Sequence, residues 1–504
     1  MATLLWDPQL WAQRQFKDCD LKDRRRNQRL CHFATQVAAH PDASTPQQAE
    51  TWADLKGAYR LINCADVTFQ ALIAPHCQQT RQDCQAGDVK LILNDTTELD
   101  YTAKRKTRGL GPIGNGHGRG FFLHSGLMVD ATTGQVDGMA AQEIFYRQEK
   151  ATKKVAKNTR RKSPDRESAV WGRVIDRIGR PREGVTWIHV CDRGADDYEV
   201  MLRAVRQGCG FVIRAAKLNR TVRTLDGRNL PLRDVLDGLP PQGQRDIAVR
   251  ATKKEPARTA RVTLRMGEIF VPLPKVLTPW IREHAPPEPL RVSVVELREE
   301  AAPTKCKPVR WVLYATEAAQ AVVSANQIIA HYEKRPKVEE YHKALKTGCG
   351  VQKRQYRQGH RLERIAGVLS VVAVRLLQMQ SAARETPERP AEEVAPRAWV
   401  QMLKAVRNVP RQQPLSIREF VRQLAGLGGH LLRKGDGEPG WQTIWRGHEK
   451  LVMLLRGARL AQGTPQQNLD RSSRNRQAGC PILGPPKSRG AQTNSAAGWL
   501  EKCG

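Results

Sequence analysis

The sequence predicts an α/β core that is interrupted by a β-rich insertion and flanked by helical regions at both ends. Three observations carry that reading. Strand-like runs ending in VTWIHVCD and GFVIRAAK alternate with the helical stretches ESAVWGRVIDRIG and DYEVMLRAVRQG, which implies parallel pairing. Residues 1–85 and 396–463 show helical spacing. Between them, residues from about 216 to 312 are rich in Pro, Arg, Val and Leu and carry short strand patterns such as ARVTLRM and LRVSVVEL.

Taken in order, the first region contains DRRRNQRLCHFATQVAAH, with Leu30, Phe33, Ala34 and Val37 on one helical face. Arg24, Arg25, Arg26 and Arg29 crowd the start of that helix, where the dipole favours anions. A bound phosphate would offset the cost; a solvated basic turn is the other reading. The central region, 86–395, opens with DVKLILND, GRGFFLHSGLMVDATTG and QVDGMAAQEIFYRQ, three strands expected to form an antiparallel meander. A basic loop, ATKKVAKNTRRKSP, precedes the alternating segment, and VRWVLYAT closes the insertion. IAGVLSVVAVRLL (365–377) is too short to span a bilayer and contains Arg375, so it reads as a buried helix. ETPERPAEEVAP reads as a linker to the last helical module, and 464–504 as a disordered tail.

The chain has 504 residues and a formal net charge of +32, from 83 Lys and Arg against 51 Asp and Glu. Such a chain repels itself, and a polyanion, nucleic acid first, is the expected partner. Basic residues occur along the whole sequence, which argues against a single membrane anchor. MATLLWDPQLWAQRQ lacks the pattern of a signal peptide. Eleven cysteines without CxxC spacing read as free thiols, so a cytoplasmic location is expected. GLGPIGNGHGRG lacks GK[ST] and lies between strands, so it is read as a DNA-facing loop or a plain connector; no nucleotide cofactor is expected.

Asp95 in LILNDTT and Asp192 in IHVCDRGADDY are both read as strand-end residues on neighbouring strands of one sheet. Each alone is an ordinary turn or capping aspartate; together they suggest convergence. HYEKRPKVEEYHKALKTG supplies a third carboxylate. At about 100° per residue, Tyr332, Arg335, Glu339 and Lys346 share one sector of a continuous helix. Three carboxylates suit a hard divalent cation, and the phenol, guanidinium and ammonium suit phosphate oxygens. The competing reading is a salt-bridged surface helix.

Those four residues fit Y-x2-R-x3-E-x6-K, which resembles the YREK signature of bacterial cut-and-paste DDE transposases of the insertion-sequence-4 type. Asp95 in a DTT context and Asp192 opening DRGAD are similar to that family's motifs, as are KGAYRLI and DRRRNQRL near the N-terminus and LAGLGGHLLRKGDGEPGWQTIWRGHEKL near the C-terminus. The resemblance covers residues 5 to 463. It implies a ribonuclease-H-like mixed sheet with the β-rich insertion, a helical DNA-end recognition domain and a helical dimerisation domain. It implies Asp95, Asp192 and Glu339 as catalytic residues holding two Mg²⁺ ions, with Mn²⁺ as a substitute. It also implies contacts to double-stranded DNA from Tyr332, Arg335, Lys343, Lys346, Trp311, Arg214, Lys217, Arg25, Arg26, Arg29 and Arg60, within a homodimer on paired DNA ends. The alternatives are a metal nuclease without strand transfer and an inactive or inhibitory copy. Pro336 departs from a close relative, which has Trp there, and proline disfavours helix at Arg335.

Overall fold

The computed structural model describes residues 5–147, 157–163, 165–249, 255–304, 306–385, 387–433 and 435–463. The expected tail at 464–504 and half of the basic loop at 151–164 lie outside these residues; the described half is not all loop, because Lys157–Lys162 form a short helix. Among the described residues, those up to Val452 form one compact unit, and those from Met453 onward fall outside it.

Four helices of nine residues or more open the described chain, with a single turn at Thr45–Gln48 between the second and third: α1 (Pro8–Phe16), α2 (Arg24–Ala39), α3 (Trp52–Asn63) and α4 (Phe69–Gln82). Short polar side chains start each one. Asp7 accepts from the amides of Gln9 and Leu10, Asp23 from Arg25, and Thr68 from Ala71, while Thr51 and Asp54 cap each other reciprocally. Asp23 therefore already supplies a carboxylate to the arginine-crowded start of α2.

The central region is a mixed sheet of twelve strands, ordered β2-β3-β1-β5-β6-β12-β11-β10-β7-β8, with β4 on β3 and β9 on β10. Strands β1 (Val89–Asp100), β2 (Gly111–Ile113), β3 (Gly118–Asp130) and β4 (Val136–Phe145) precede helix α5 (Ala169–Ile178). Then come β5 (Thr186–Cys191), α6 (Tyr198–Arg206) and β6 (Gly210–Arg214). β1, β5 and β6 pair in parallel, whereas β1, β3 and β4 form the expected antiparallel meander. Burial of Ile92, Val174, Phe211, Ile213 and Tyr314 places a core between α5, α6 and this sheet.

The insertion contributes β7 (Thr221–Arg223), β8 (Asn229–Pro231), β9 (Gly243–Val249), β10 (Arg258–Val271), β11 (Leu290–Arg298) and β12 (Arg310–Ala315). β12 returns antiparallel to β6, with Tyr314 opposite Ile213, so the insertion extends the central sheet. Composition could reveal the insertion but not this seam.

Four expectations change. Asp95 does not end a strand. β3 stays paired with β1 as far as Asp100, and only the pairing with β5 stops at Leu93. GLGPIGNGHGRG is neither a free loop nor a plain connector, because β2 and the start of β3 pair within it as a hairpin. The segment from Tyr332 to Lys346 is not one helix. Helix α7 (Val322–Glu333) ends, α8 starts at Pro336 and runs to Lys343, and Ala344–Gly348 form a π turn. Proline has no amide to donate and takes the first helical position of α8, where none is needed. Finally, the Pro/Glu-rich segment is docked. Ala391 is buried and its amide donates to the Leu415 carbonyl at 2.8 Å.

The long helix α9 (Gly359–Glu385) buries residues 365–377 as expected. Helices α10 (Arg397–Val406), α11 (Ile417–Leu427) and α12 (Trp441–Gly463) complete the C-terminal region. No described helix is long and apolar enough to cross a membrane. None of the nine described cysteines is in a disulfide.

Four fully buried histidines, His76, His124, His189 and His448, are held neutral because burial disfavours the imidazolium. The pKa falls to about 4 at His76 and about 3 at His124 and His189, and lies well below the usual range at His448. The unfolded chain therefore binds more protons below pH 6.5, and stability is lost as pH falls from there toward pH 3. Urea titrations at pH 7.5, 6 and 5 are expected to show midpoints that fall with pH, and His76→Gln is expected to flatten that fall.

Candidate active site

Parallel pairing sets Leu93 of β1 beside Val190 of β5, and two residues further along each chain stand Asp95 and Asp192. Side chains alternate along a strand, so this register brings the two carboxylates to one place at the sheet's carboxyl edge. Asp192 is also the cap of the turn that follows. Its Oδ1 accepts from the Gly194 amide at 2.7 Å, leaving Oδ2 to face the site.

The break before Pro336 delivers Arg335 to these carboxylates. Its Nη2 lies 3.1 Å from Asp95 Oδ1 and 3.4 Å from Asp192 Oδ2, and its Nη1 lies 2.5 Å from Glu339 Oε1. One guanidinium thus bridges all three carboxylates named from sequence. The Arg335 side chain is 12 % exposed, and exposure rises from Asp95 (16 %) through Asp192 (36 %) to Glu339 (56 %), so the site opens toward Glu339. Burial disfavours the charged guanidinium, but Asp95, Asp192 and Glu339 more than offset it and raise its pKa. Burial likewise works against the Asp95 carboxylate, and His342, Arg335 and the Thr96 amide reverse this and hold its pKa below the usual range.

His342 is a residue that sequence reasoning missed. It is buried, with Nδ1 3.6 Å from Asp95 Oδ2 and Nε2 3.2 Å from Ser125 Oγ. Ser125 stands opposite Asp95 in the β1–β3 register and accepts from Gln142 Nε2 at 2.9 Å. The signal was present in the sequence. His342 lies three residues after Glu339, on an adjacent position of the α8 surface.

A second group adjoins the carboxylates. The Trp311 and Tyr332 rings meet edge to face at 5.3 Å, and the Arg214 guanidinium lies 5.8 Å from the Trp311 ring centroid. Arg214 Nη2 donates to the Arg310 carbonyl at 3.1 Å. Tyr332 is buried, which raises its phenol pKa against the opposing effect of Arg214. Trp311 is half-buried. These three residues were named separately from sequence, and the fold brings them together.

The other candidates are placed less uniformly. Lys346, in the π turn, is half-buried; burial lowers its pKa, opposed by Glu98, Asp95 and Asp100. Lys343 is exposed. Lys217 Nζ donates to the Asp196 carbonyl at 3.0 Å, which ties it to the loop after Asp192. In the N-terminal helices, Arg25, Arg29 and Arg60 are exposed. Arg26 is committed internally, donating to the Leu21 carbonyl at 2.9 Å and pairing with Asp66.

Among the described residues, no three His, Cys, Asp or Glu side chains stand close enough to form a ready-made metal cage. Asp95, Asp192 and Glu339 meet through the guanidinium instead. Their donor set is nonetheless all carboxylate oxygen gathered about one cation, which is the chemistry that a hard divalent ion takes.

A helical N-terminal region, a mixed sheet with two aspartates at its edge and a helical C-terminal region are the frame in which the matches with known families fall. Residues 8–67 match the family model described as "Transposase DNA-binding", and residues 371–467 match "Transposase Tn5 dimerisation domain". The first covers α1, α2 and α3; the second begins inside α9, upstream of the expected boundary at 396. Both matches support a DNA transposase that binds DNA and forms a homodimer.

Proposed function

We propose that this chain is a cut-and-paste DDE transposase with a ribonuclease-H-like core, whose catalytic residues are Asp95, Asp192 and Glu339. The observation that carries the reading is the convergence of those carboxylates on Arg335. The domain matches on either side of the site supply its context. Asp95, Asp192 and Glu339 would hold two Mg²⁺ ions, which when bound activate an attacking oxygen and stabilise the leaving one.

The chain's own residues do the positioning. Phosphoryl transfer depends chiefly on placing the attacked phosphate and balancing its charge. Arg335 and Lys346 supply cations near the carboxylates, Lys343 an exposed cation at the end of α8, and Tyr332 a phenol for phosphate oxygens. Trp311 offers an indole face on which a base turned out of the DNA end can stack, with Arg214 beside it. Arg25, Arg29 and Arg60 present exposed cations to the terminal repeat. Water attack at the end phosphate breaks one P–O bond and frees a 3′-hydroxyl. That hydroxyl attacks the opposite-strand phosphate, forming the hairpin and releasing the 3′-hydroxyl of the flanking DNA; water opens the hairpin and regenerates the 3′-hydroxyl, which attacks a target phosphate and releases a target 3′-hydroxyl. No nucleotide cofactor is required, and the reaction belongs in the cytoplasm of a bacterium.

The test is a cleavage and joining assay with duplexes that carry the inverted repeats flanking the gene, in Mg²⁺ and separately in Mn²⁺. Cleaved ends, hairpins and joined products are expected only when two ends are present. Cleavage without joining would make the protein a nuclease, and binding without cleavage would make it an inhibitory copy.

A further inference from the structure

Carboxylates that converge on one point repel, and a cation between them offsets that repulsion. In this protein the cation is the Arg335 side chain, which spends both terminal nitrogens on Asp95, Asp192 and Glu339. The arrangement is not an ordinary surface ion pair, because the guanidinium is 12 % exposed and Asp95 16 %. Nor is it a closed structural salt bridge. Arg335 Nε is buried without a hydrogen-bond partner, and Glu339, the third member, is largely open to solvent.

The backbone at this point is a turn between two helices. Lys334 and Arg335 lie between α7 and α8, outside both helical ladders, and neighbouring amides make shorter-range bonds, Arg335 to Tyr332 at 3.0 Å and Val338 to Arg335 at 3.1 Å. A long, unbranched side chain rooted in such a turn can swing without unwinding either helix.

We propose that Arg335 is a positioning residue that acts as a built-in stand-in for the divalent cation. It keeps Asp95, Asp192 and Glu339 assembled in the DNA-free protein and yields the site when a DNA phosphate draws its guanidinium away. The inference rests on the three carboxylates being the metal ligands. It adds a coupling that this assignment alone does not contain. Metal and guanidinium compete for the same oxygens, whereas phosphate and carboxylates compete for the same guanidinium. DNA therefore tightens metal binding, and metal tightens DNA binding by the same factor. A transposase so arranged holds little metal until it also holds an end, which limits stray hydrolysis.

The test is Mn²⁺ binding followed by electron paramagnetic resonance, without activity as a readout. Wild-type protein, Arg335→Gln and Arg335→Lys are titrated alone and with a duplex ending in the inverted repeat that flanks the gene. Without DNA, Arg335→Gln is expected to bind Mn²⁺ roughly ten-fold or more tightly than wild type, within the usual range of coupling between sites. Arg335→Lys, whose single ammonium lacks the guanidinium fork, should fall between them. Adding the duplex should tighten Mn²⁺ binding to wild type and leave Arg335→Gln nearly unchanged. A structural role alone would lower metal affinity in Arg335→Gln, and that result overturns the inference. Should Arg335→Gln not fold, equal Mn²⁺ affinity of wild type with and without the duplex overturns it instead. Equal affinity of all three proteins sinks the stand-in role but leaves the carboxylate assignment intact. No Mn²⁺ binding to any of them, with or without DNA, sinks both.

Discussion

Glu339→Gln is expected to abolish cleavage of a DNA end while leaving end binding and folding intact. Three observations fix the direction. Glu339 is the most exposed of the three carboxylates, at 56 %, so the swap creates no cavity and its cost in stability should stay within about 0.5 kcal/mol. The amide oxygen of glutamine can still accept from Arg335 Nη1, so the local hydrogen bond survives. The lost quantity is one negative charge among three, and hence the capacity to hold a divalent ion. Catalytic groups that act as a unit lose most of their effect together, so a fall of roughly a thousand-fold or more in cleavage is expected. Gel-shift binding of the end duplex, measured beside single-turnover cleavage, separates the two effects. Retained cleavage in that variant removes Glu339 from the catalytic set.

The largest expected effect on stability is Arg375→Met. Arg375 is fully buried in α9 and has no ion-pair partner among the described residues. Its guanidinium donates instead to three carbonyls: Leu5 at 2.7 Å, Trp6 at 2.9 Å and Ala38 at 2.9 Å. It also lies 5.3 Å from the Trp11 ring and 5.9 Å from the Trp445 ring, close enough for cation–π attraction. Burial lowers its pKa to about 9, so it remains charged at neutral pH. Methionine fills much of the volume but takes the donor from the Leu5 and Ala38 carbonyls, while the Trp6 carbonyl keeps His448 Nε2 at 2.9 Å; each unsatisfied buried group costs roughly 1–3 kcal/mol. A loss of at least about 2 kcal/mol is therefore expected in urea denaturation. Because the carbonyls belong to the N-terminal segment and to α2, while Trp445 belongs to α12, DNA-end binding should weaken as well. An unfolding midpoint equal to that of wild type would refute this account of the buried arginine.

Much of the candidate site was legible in the sequence as residue types. Asp95, Asp192 and Glu339 stood out as carboxylates in recognisable contexts, and Trp311, Tyr332 and Arg214 were expected DNA contacts; what the fold shows is that each set meets in space. His342 was harder to see, because its role depends on Ser125 and Asp95, which are distant in sequence and meet only through the β1–β3 register. Asp95 was wrongly read as a strand end. A local pattern cannot show that one neighbour, β5, stops pairing while the other, β3, continues.

What the sequence determined by itself was local: helix starts at Asp23, Thr51 and Thr68, alternating strands, a basic chain suited to DNA, and the stretch containing Arg335 and Glu339. Tertiary structure alone decided that β12 returns to β6, that Trp311 meets Tyr332, and that one guanidinium joins three carboxylates. Helix caps and alternation involve residues a few positions apart, whose geometry the backbone fixes. Arg335 meets Asp95 and Asp192 only after strand pairing has closed loops of well over a hundred residues, and no local pattern records which oxygen a guanidinium will reach.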